Sequence, residues 1–471
     1  MASIVDVALV SKPEETRHRL ALGLMVASGF AALGYQIVWT QQATIWLGHE
    51  LAAVLAVVAA FFAGLAVGAL ALGPRIDRSQ RPARWYAACE ALSGLWSITL
   101  AFLMAPVGNW LLDLTGEQPS TTRQWSVAFF GTFVLLLPAT AAMGATLPAM
   151  ERVLAKMRRQ GSPIATLYAG NTFGALLGVL AAAFVLVPQF GLLLTASVCA
   201  SLNLLCAAAA VKLFAEPAHG TSTTARSDAP GVLVLLAATG LLGIGYEVLV
   251  VRVLSQVAEN TVYTFAILLA MYLVGTALGA AAYGRWLSNA GGSERTRDRL
   301  LQTLAAACLL GMLSLAGAEA LKASVLHALG AGMVAALGAE AALATAAFLL
   351  PTILMGALFS HLATNARAAG ISFGRALGVN TLGAAVAPLL FGVLLVPGLG
   401  PKFAVLLVAA GYLALSSQRA WSAPAQWVTT GATLALAVWA PSLAIVDIPE
   451  GARLVSYAEG AMATVSVVED A

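Results

Sequence analysis

The chain has 471 residues, 60% of them hydrophobic and 10% charged, with a mean hydropathy of +0.87. A soluble domain carries about 25% charged residues, so this composition excludes a soluble globular protein and defines a polytopic membrane protein. The net charge of +3 singles out no acidic or nucleic-acid partner.

A membrane-spanning helix needs about 20 mostly apolar residues. Residues 1–19 are polar and charged, read as a cytoplasmic tail, and show no cleavable signal peptide. In chain order, spans are expected near 20–40, 50–73, 85–107, 125–150, 165–188, 190–211, 231–251, 260–284, 300–318, 331–358, 374–396 and 402–418. A further helix is expected at 425–446, because residues 420–446 carry no charge. The expected organisation is a first six-helix repeat at 20–214, a cytoplasmic linker at 215–230, a second six-helix repeat at 231–418, the extra helix, and a tail at 447–471. Cys89, Cys199, Cys206 and Cys308 all fall in apolar runs without a C-x-x-C pair. They read as buried small hydrophobes, not as a disulfide framework or metal site.

Orientation follows from the loop Lys and Arg residues. With a cytoplasmic N-terminus, only Arg123, Arg252, Lys322, Lys402 and Arg453 fall outside, and the other 20 of the 25 basic residues fall inside. The extra helix then carries the tail to the outer side of the cell (inner) membrane. Topology accounts for the basic residues, and nucleic-acid binding is not expected.

The chain is duplicated. GYQIVWTQ at 34–41 matches GYEVLVVR at 245–252, and Gly64 and Gly68 match Gly275 and Gly279. LPATAAMG at 137–144 matches LPTILMG at 350–356, NTFG at 171–174 matches NTLG at 380–383, and Pro188 matches Pro397. The offsets stay between 209 and 213, which is a repeat and not a coincidence of composition. Six spans per repeat send both halves into the membrane in the same direction, the architecture of major-facilitator-like proteins, whose substrate sites lie near the midplane between halves. GPRIDRSQR at 73–81 resembles the facilitator loop pattern through Gly73, Asp77, Arg78 and Arg81, with Gln80 in place of a glycine. The plainer reading has Asp77 capping a helix end and the arginines marking the cytoplasmic side.

The repeat singles out the intramembrane polar residues. Gln36 corresponds to Glu247, and Gln41 to Arg252. Two amides thus replace an acid and a base, as expected if both positions meet equivalent partners in both halves. Two readings of Glu247 stay open. One is a polar clamp between helices, toward which the charge loss in the first half weighs, with Arg252 snorkelling. The other is a substrate or proton site, since intramembrane acids are functional candidates by default. Glu90 and Glu340 stand alone in their spans and could face a central cavity. Asn171 and Asn380 open the NT[FL]G motifs, where their amides are expected to bind backbone or a facing helix. Gly64-x-x-x-Gly68 and Gly275-x-x-x-Gly279 read as packing faces. His18, His49, His219, His327 and His361 lie scattered in loops and ends without ligand spacing, so no metal or cofactor is expected. The tail alternates from Ala463 to Val468 after a turn at Glu459-Gly460, which reads as a strand whose partners lie outside this chain.

Taken together, SGFAALGYQIVWTQ from Ser28, MGATLP at 143–148, YAGNTFGALLG at 168–178 and the tail EGAMATVSVVED resemble the membrane portion of fused facilitator–spermidine synthase-like proteins. The resemblance implies a following synthase-type Rossmann domain that acts on decarboxylated S-adenosylmethionine and a polyamine. Its glycine-rich loop and acidic transfer motif have no counterparts in this sequence, so no catalytic residue carries over, and either the chain is a truncated or split form or the membrane part works alone. The implied partners are the lipid bilayer and a synthase-like Rossmann domain on another chain. Three functions remain open: a membrane module that anchors or feeds such a domain, a stand-alone facilitator-like transporter of a small organic solute, and a structural membrane protein without turnover.

Overall fold

The computed structural model describes residues 12–154, 163–214, 230–259, 261–287, 294–330, 332–445, 453–460 and 464–469. Most of the expected linker, residues 215–229, and His219 with it, falls outside them. A bilayer offers the backbone no hydrogen-bond partners, so apolar segments must bond internally, as helices. The first half comprises α1 (Lys12–Leu47), α2 (Glu50–Asp77), α3 (Pro82–Thr115), α4 (Thr121–Leu154), α5 (Pro163–Ala181) and α6 (Val187–Leu213). The second comprises α7 (Pro230–Leu254), α8 (Val262–Ala282), α9 (Glu294–Ala316), a short α10 (Ala318–Leu329), α11 (Met333–Ala368), α12 (Phe373–Ala387) and α13 (Val396–Ala414), followed by α14 (Pro424–Trp439).

Ten helical stretches among the described residues are long and apolar enough to cross a membrane. Two of them, Ile164–Leu213 and Phe373–Ala414, run to 50 and 42 residues. At 1.5 Å per residue these would extend roughly 75 and 63 Å, against a hydrocarbon core of about 30 Å. Each leaves helical geometry at a glycine with left-handed φ, Gly191 at 75° and Gly400 at 78°. Each break follows a proline, Pro188 or Pro397, and a π-helical turn, Ala182–Leu186 or Pro388–Leu395. The missing proline N–H disrupts the regular ladder just before the turn. These two stretches therefore hold two spans each, giving twelve. α14 runs antiparallel along α13: Gln426 Nε2 donates to Leu413 O at 3.3 Å near one end, and Lys402 Nζ to Ala440 O at 2.6 Å near the other; at 16 residues it is shorter than the stretches long enough to cross. α10, at 12 residues too short to span, is an element the hydropathy pattern does not reveal. α1 begins at Lys12, inside the stretch read as a tail, and α14 ends before the boundary expected at 446.

The packing repeats with the sequence. α2 packs on α4, α1 on α5, and α3 on α4 and α6; α8 packs on α11, α7 on α12, and α9 on α11 and α13. Glycines set the distances. A Cβ at Gly68 would overlap Ala141 O, and one at the equivalent Gly279 would overlap Ile353 O. Backbones this close give the dispersion contacts that hold helices together where lipid removes the hydrophobic driving force. Between the halves, α2 meets α12 and α5 meets α8. Gly73 approaches Gly374 Cα, while the equivalent Gly284 approaches Ala165 Cβ, each at 3.4 Å from an added Cβ. These are one contact seen twice across a pseudo-twofold axis. The C-terminal ends of the equivalent helices α4 and α11 also meet, through Glu151 and Arg367 at 2.9 Å. Both repeats therefore run through the membrane in the same direction.

The tail corrects one expectation. β1 (Arg453–Glu459) pairs antiparallel with β2 (Thr464–Glu469), Glu459 opposite Thr464. The strand at the end of the sequence thus has its first partner inside this chain, in the stretch just before the turn.

Candidate functional site

A cavity of about 220 Å³ lies between the halves. Equivalent positions of the two repeats line it together: Gln36 with Glu247, Asn171 with Asn380, Phe61 with Tyr272, and Met143 with Met355. α1 and α7, each crossed closely by the NT[FL]G helix of its own half, carry Gln36 and Glu247 onto opposing walls. A Cβ at Gly174 would overlap Val26 O, and one at Gly383 would overlap Ala237 O, so these crossings fix the two walls. Glu247 is half-buried, and among the described residues its carboxylate makes no hydrogen bond or ion pair. It clamps no facing helix in this structure. Asn380 Nδ2 donates to Leu236 O at 2.9 Å, the backbone bond expected of it. Among the described residues no Lys, Arg, His or Asp lines the cavity, and Glu247 is its single acid.

The other two lone acids do not reach it. Glu90 is fully buried within the first half, where Asn203 Nδ2 donates to it and Tyr35 Oη donates to Asn203 Oδ1 at 2.9 Å. Glu340 accepts from Thr264 Oγ1 at 2.8 Å and from Glu259 N at 3.2 Å, which ties α11 to the capping box that opens α8. Both belong to internal bracing, because the azimuth of each helix turns them away from the axis between the halves.

Arg252 does not snorkel. Its Nη2 contacts Glu459 Oε2 at 3.1 Å, Gly460 O at 2.6 Å and Thr464 Oγ1 at 3.3 Å, fastening the hairpin to the end of α7. Gln41, its counterpart, is half-buried and makes no such contact, since the first half has no hairpin beside it. Equivalent surroundings therefore hold for Gln36 and Glu247 and fail for Gln41 and Arg252. Next to the latch, Tyr457 Oη donates to Glu459 Oε1. Burial first, then this bond, pushes the Tyr457 hydroxyl up from its usual range, so it remains a donor. His49, between α1 and α2, is held below its ordinary pKa by burial and then by the charge of Arg252.

On the opposite face, Asp77 ends α2 beside Ser372 at the start of α12, with Arg367 and Arg152 nearby. It joins the two halves instead of capping its own helix. Arg78 and Arg81 of the same motif are exposed. Sequence reasoning missed the Glu151–Arg367 pair because its members read as ordinary loop charges. It also missed Tyr272 and Tyr412 on the cavity wall, although the repeat alignment of Tyr272 with Phe61 carries a usable signal. His361, expected at a helix end, is buried inside α11 beside Asn365, with Nε2 and Nδ2 3.0 Å apart. Among the described residues no group of three side chains could hold a metal ion.

The fold and the cavity define an all-α, multi-pass membrane protein built from two parallel six-helix halves, with an added helix and a β-hairpin. No family model matches the chain. It is 30% identical over 199 residues to a polyamine aminopropyltransferase of Corynebacterium efficiens, an alignment that covers 40% of this chain and 33% of the relative. The chain thus spans about a third of the length of that curated relative. Among solved structures it is similar to the major facilitator superfamily proton:xylose symporter XylE bound to 6-bromo-6-deoxy-D-glucose, at 14% identity and a TM-score of 0.44 over 90% of this chain and 96% of that one. It is also similar to a bacterial homologue of the human lysosomal transporter Spinster in an inward-facing and occupied conformation, at 15% identity and a TM-score of 0.47 over 91% and 96%.

Proposed function

We propose that the chain is the integral membrane module of a spermidine synthase-like, aminopropyltransferase-type protein, and that it anchors a synthase-like domain at the hairpin. The observation that carries this reading is the hairpin itself, fastened by Arg252 yet presenting Val455, Val465 and Val467 outward at 56%, 58% and 49% exposure. A two-stranded ribbon is marginal alone, and its open edges invite further strands. The partial likeness to a polyamine aminopropyltransferase supports the same reading. The distribution of basic residues supports a cytoplasmic N-terminus, with the hairpin on the outer side of the inner membrane.

The test is to purify the protein from its native membrane and assay aminopropyl transfer from decarboxylated S-adenosylmethionine to putrescine. Transfer activity should accompany the wild-type protein and be lost from the Arg252→Ala variant. Absence of activity from both, or equal activity in both, overturns the reading.

A second reading, transport of a small organic solute, is favoured by the unpaired Glu247 in the cavity. Uptake into proteoliposomes with and without a proton gradient checks it.

A further inference from the structure

We propose that the cavity holds a one-sided site for a small organic monocation, built by the second repeat from Gly243, Glu247, Tyr272, Met355 and Tyr412. The inference deepens the solute-binding reading of the cavity and is independent of the anchoring of a synthase-like domain.

The two halves provide an internal comparison. At the position of Gly243 the first repeat has Ala32; at Glu247 it has Gln36; at Tyr272 it has Phe61; at Tyr412 it has Asn203. The first half has therefore lost the recess, the charge and one hydroxyl. Its fourth position is committed to the Tyr35–Asn203–Glu90 network. The second half keeps all four features. A Cβ at Gly243 would lie 3.7 Å from Met355 Sδ, 3.7 Å from Tyr412 Oη and 3.9 Å from Tyr272 Oη. Two tyrosine hydroxyls and a thioether thus surround the space left by Gly243, and Glu247 stands one helical turn further along the same face. The Tyr412 hydroxyl is buried without a hydrogen-bond partner, and the Glu247 carboxylate is likewise unpaired.

An orphaned acid and an orphaned hydroxyl that flank one recess call for a ligand with N–H donors and positive charge. Hydroxyl oxygens accept such bonds, and Tyr272 and Tyr412 turn theirs toward the recess. With a single acid and no base on the lining among the described residues, one positive charge is neutralised. A second would stay uncompensated in a low-dielectric site, at high cost. The volume of about 220 Å³ lies below the roughly 300–1,000 Å³ of drug-sized sites, which limits the ligand to a small amine with a short apolar body.

The experiment is calorimetric titration of the full chain, purified in detergent without partners, with n-butylamine, its neutral analogue 1-butanol, and the dication 1,4-diaminobutane. Butylamine should bind more tightly than either. Glu247→Gln should raise the butylamine Kd at least about tenfold and leave butanol unaffected. Gly243→Ala places its methyl at ordinary van der Waals distances, so it should fold with an unchanged or higher melting temperature while raising the butylamine Kd at least about fivefold. This variant decides the matter if Glu247→Gln does not fold. Butanol binding as tightly as butylamine, diaminobutane binding more tightly, or an unchanged Kd in the folded variants would overturn the proposal. Because no partner is present, such a failure leaves the anchoring reading untouched.

Discussion

Arg252 of α7 and Glu459 of β1, 207 residues apart in the chain, form an ion pair at 3.1 Å in which neither side chain is more than 7% exposed. With Gly460 O and Thr464 Oγ1 on the same guanidinium, this pair is the main polar fastening of the hairpin. Removing one partner of a buried pair costs about 3–5 kcal/mol, because the other charge is left uncompensated. Arg252→Gln, which installs the residue of the first repeat, should therefore release the hairpin. Hydrogen exchange at 453–460 and 464–469 should become fast while the helices keep their protection. Unchanged exchange in the hairpin would show that apolar contacts alone hold it.

His49 makes the same attachment sensitive to pH. Its Nδ1 accepts from Leu51 N at 3.2 Å, and burial, then the Arg252 charge, lowers its pKa in the folded state. A histidine with a depressed folded pKa binds its proton more readily when released. Its contribution is therefore complete above the unfolded value of about 6.5 and is lost as pH falls from there toward the folded value. Hairpin protection should decline as pH falls below about 6.5. His49→Asn keeps a helix-capping acceptor without a titratable ring and should flatten the profile. A decline of equal size in that variant would assign the effect to other groups.

The glycine crossings predict a paired loss. Gly68→Ala and Gly279→Ala each place a methyl into a facing backbone carbonyl, which the flexing of a side chain cannot relieve. Overpacking costs about 1–3 kcal/mol, and a backbone clash belongs at the upper end. Both variants should lower the melting temperature in detergent to a similar extent. Gly23→Ala meets no atom within 4 Å and should be neutral or stabilising by up to about 1 kcal/mol. Loss at one position only would break the equivalence of the two halves.

The sequence shows the spans and the duplication because both depend on local hydropathy and on offsets that survive without coordinates. Comparing repeats also singles out Gln36 with Glu247 and Asn171 with Asn380, pairs that flank the pseudo-twofold axis and line the cavity. It cannot find the partner of an isolated acid. Glu90 and Glu340 look the same as Glu247 in sequence, and only the rotation of each helix separates internal bracing from cavity lining. β1 escapes notice because alternation is plain only in β2, and α10 because its 12 residues fall below spanning length.

What the sequence determined by itself is that this is a membrane protein of two homologous halves, because burying the backbone in lipid leaves one solution for long apolar runs. What the tertiary structure alone decided is where the polar groups go. Arg252 meets a hairpin 207 residues away, Asp77 meets the other half, and Glu247 makes no hydrogen bond or ion pair among the described residues. Those outcomes depend on helix azimuth and on contacts between distant segments, which a linear pattern does not encode.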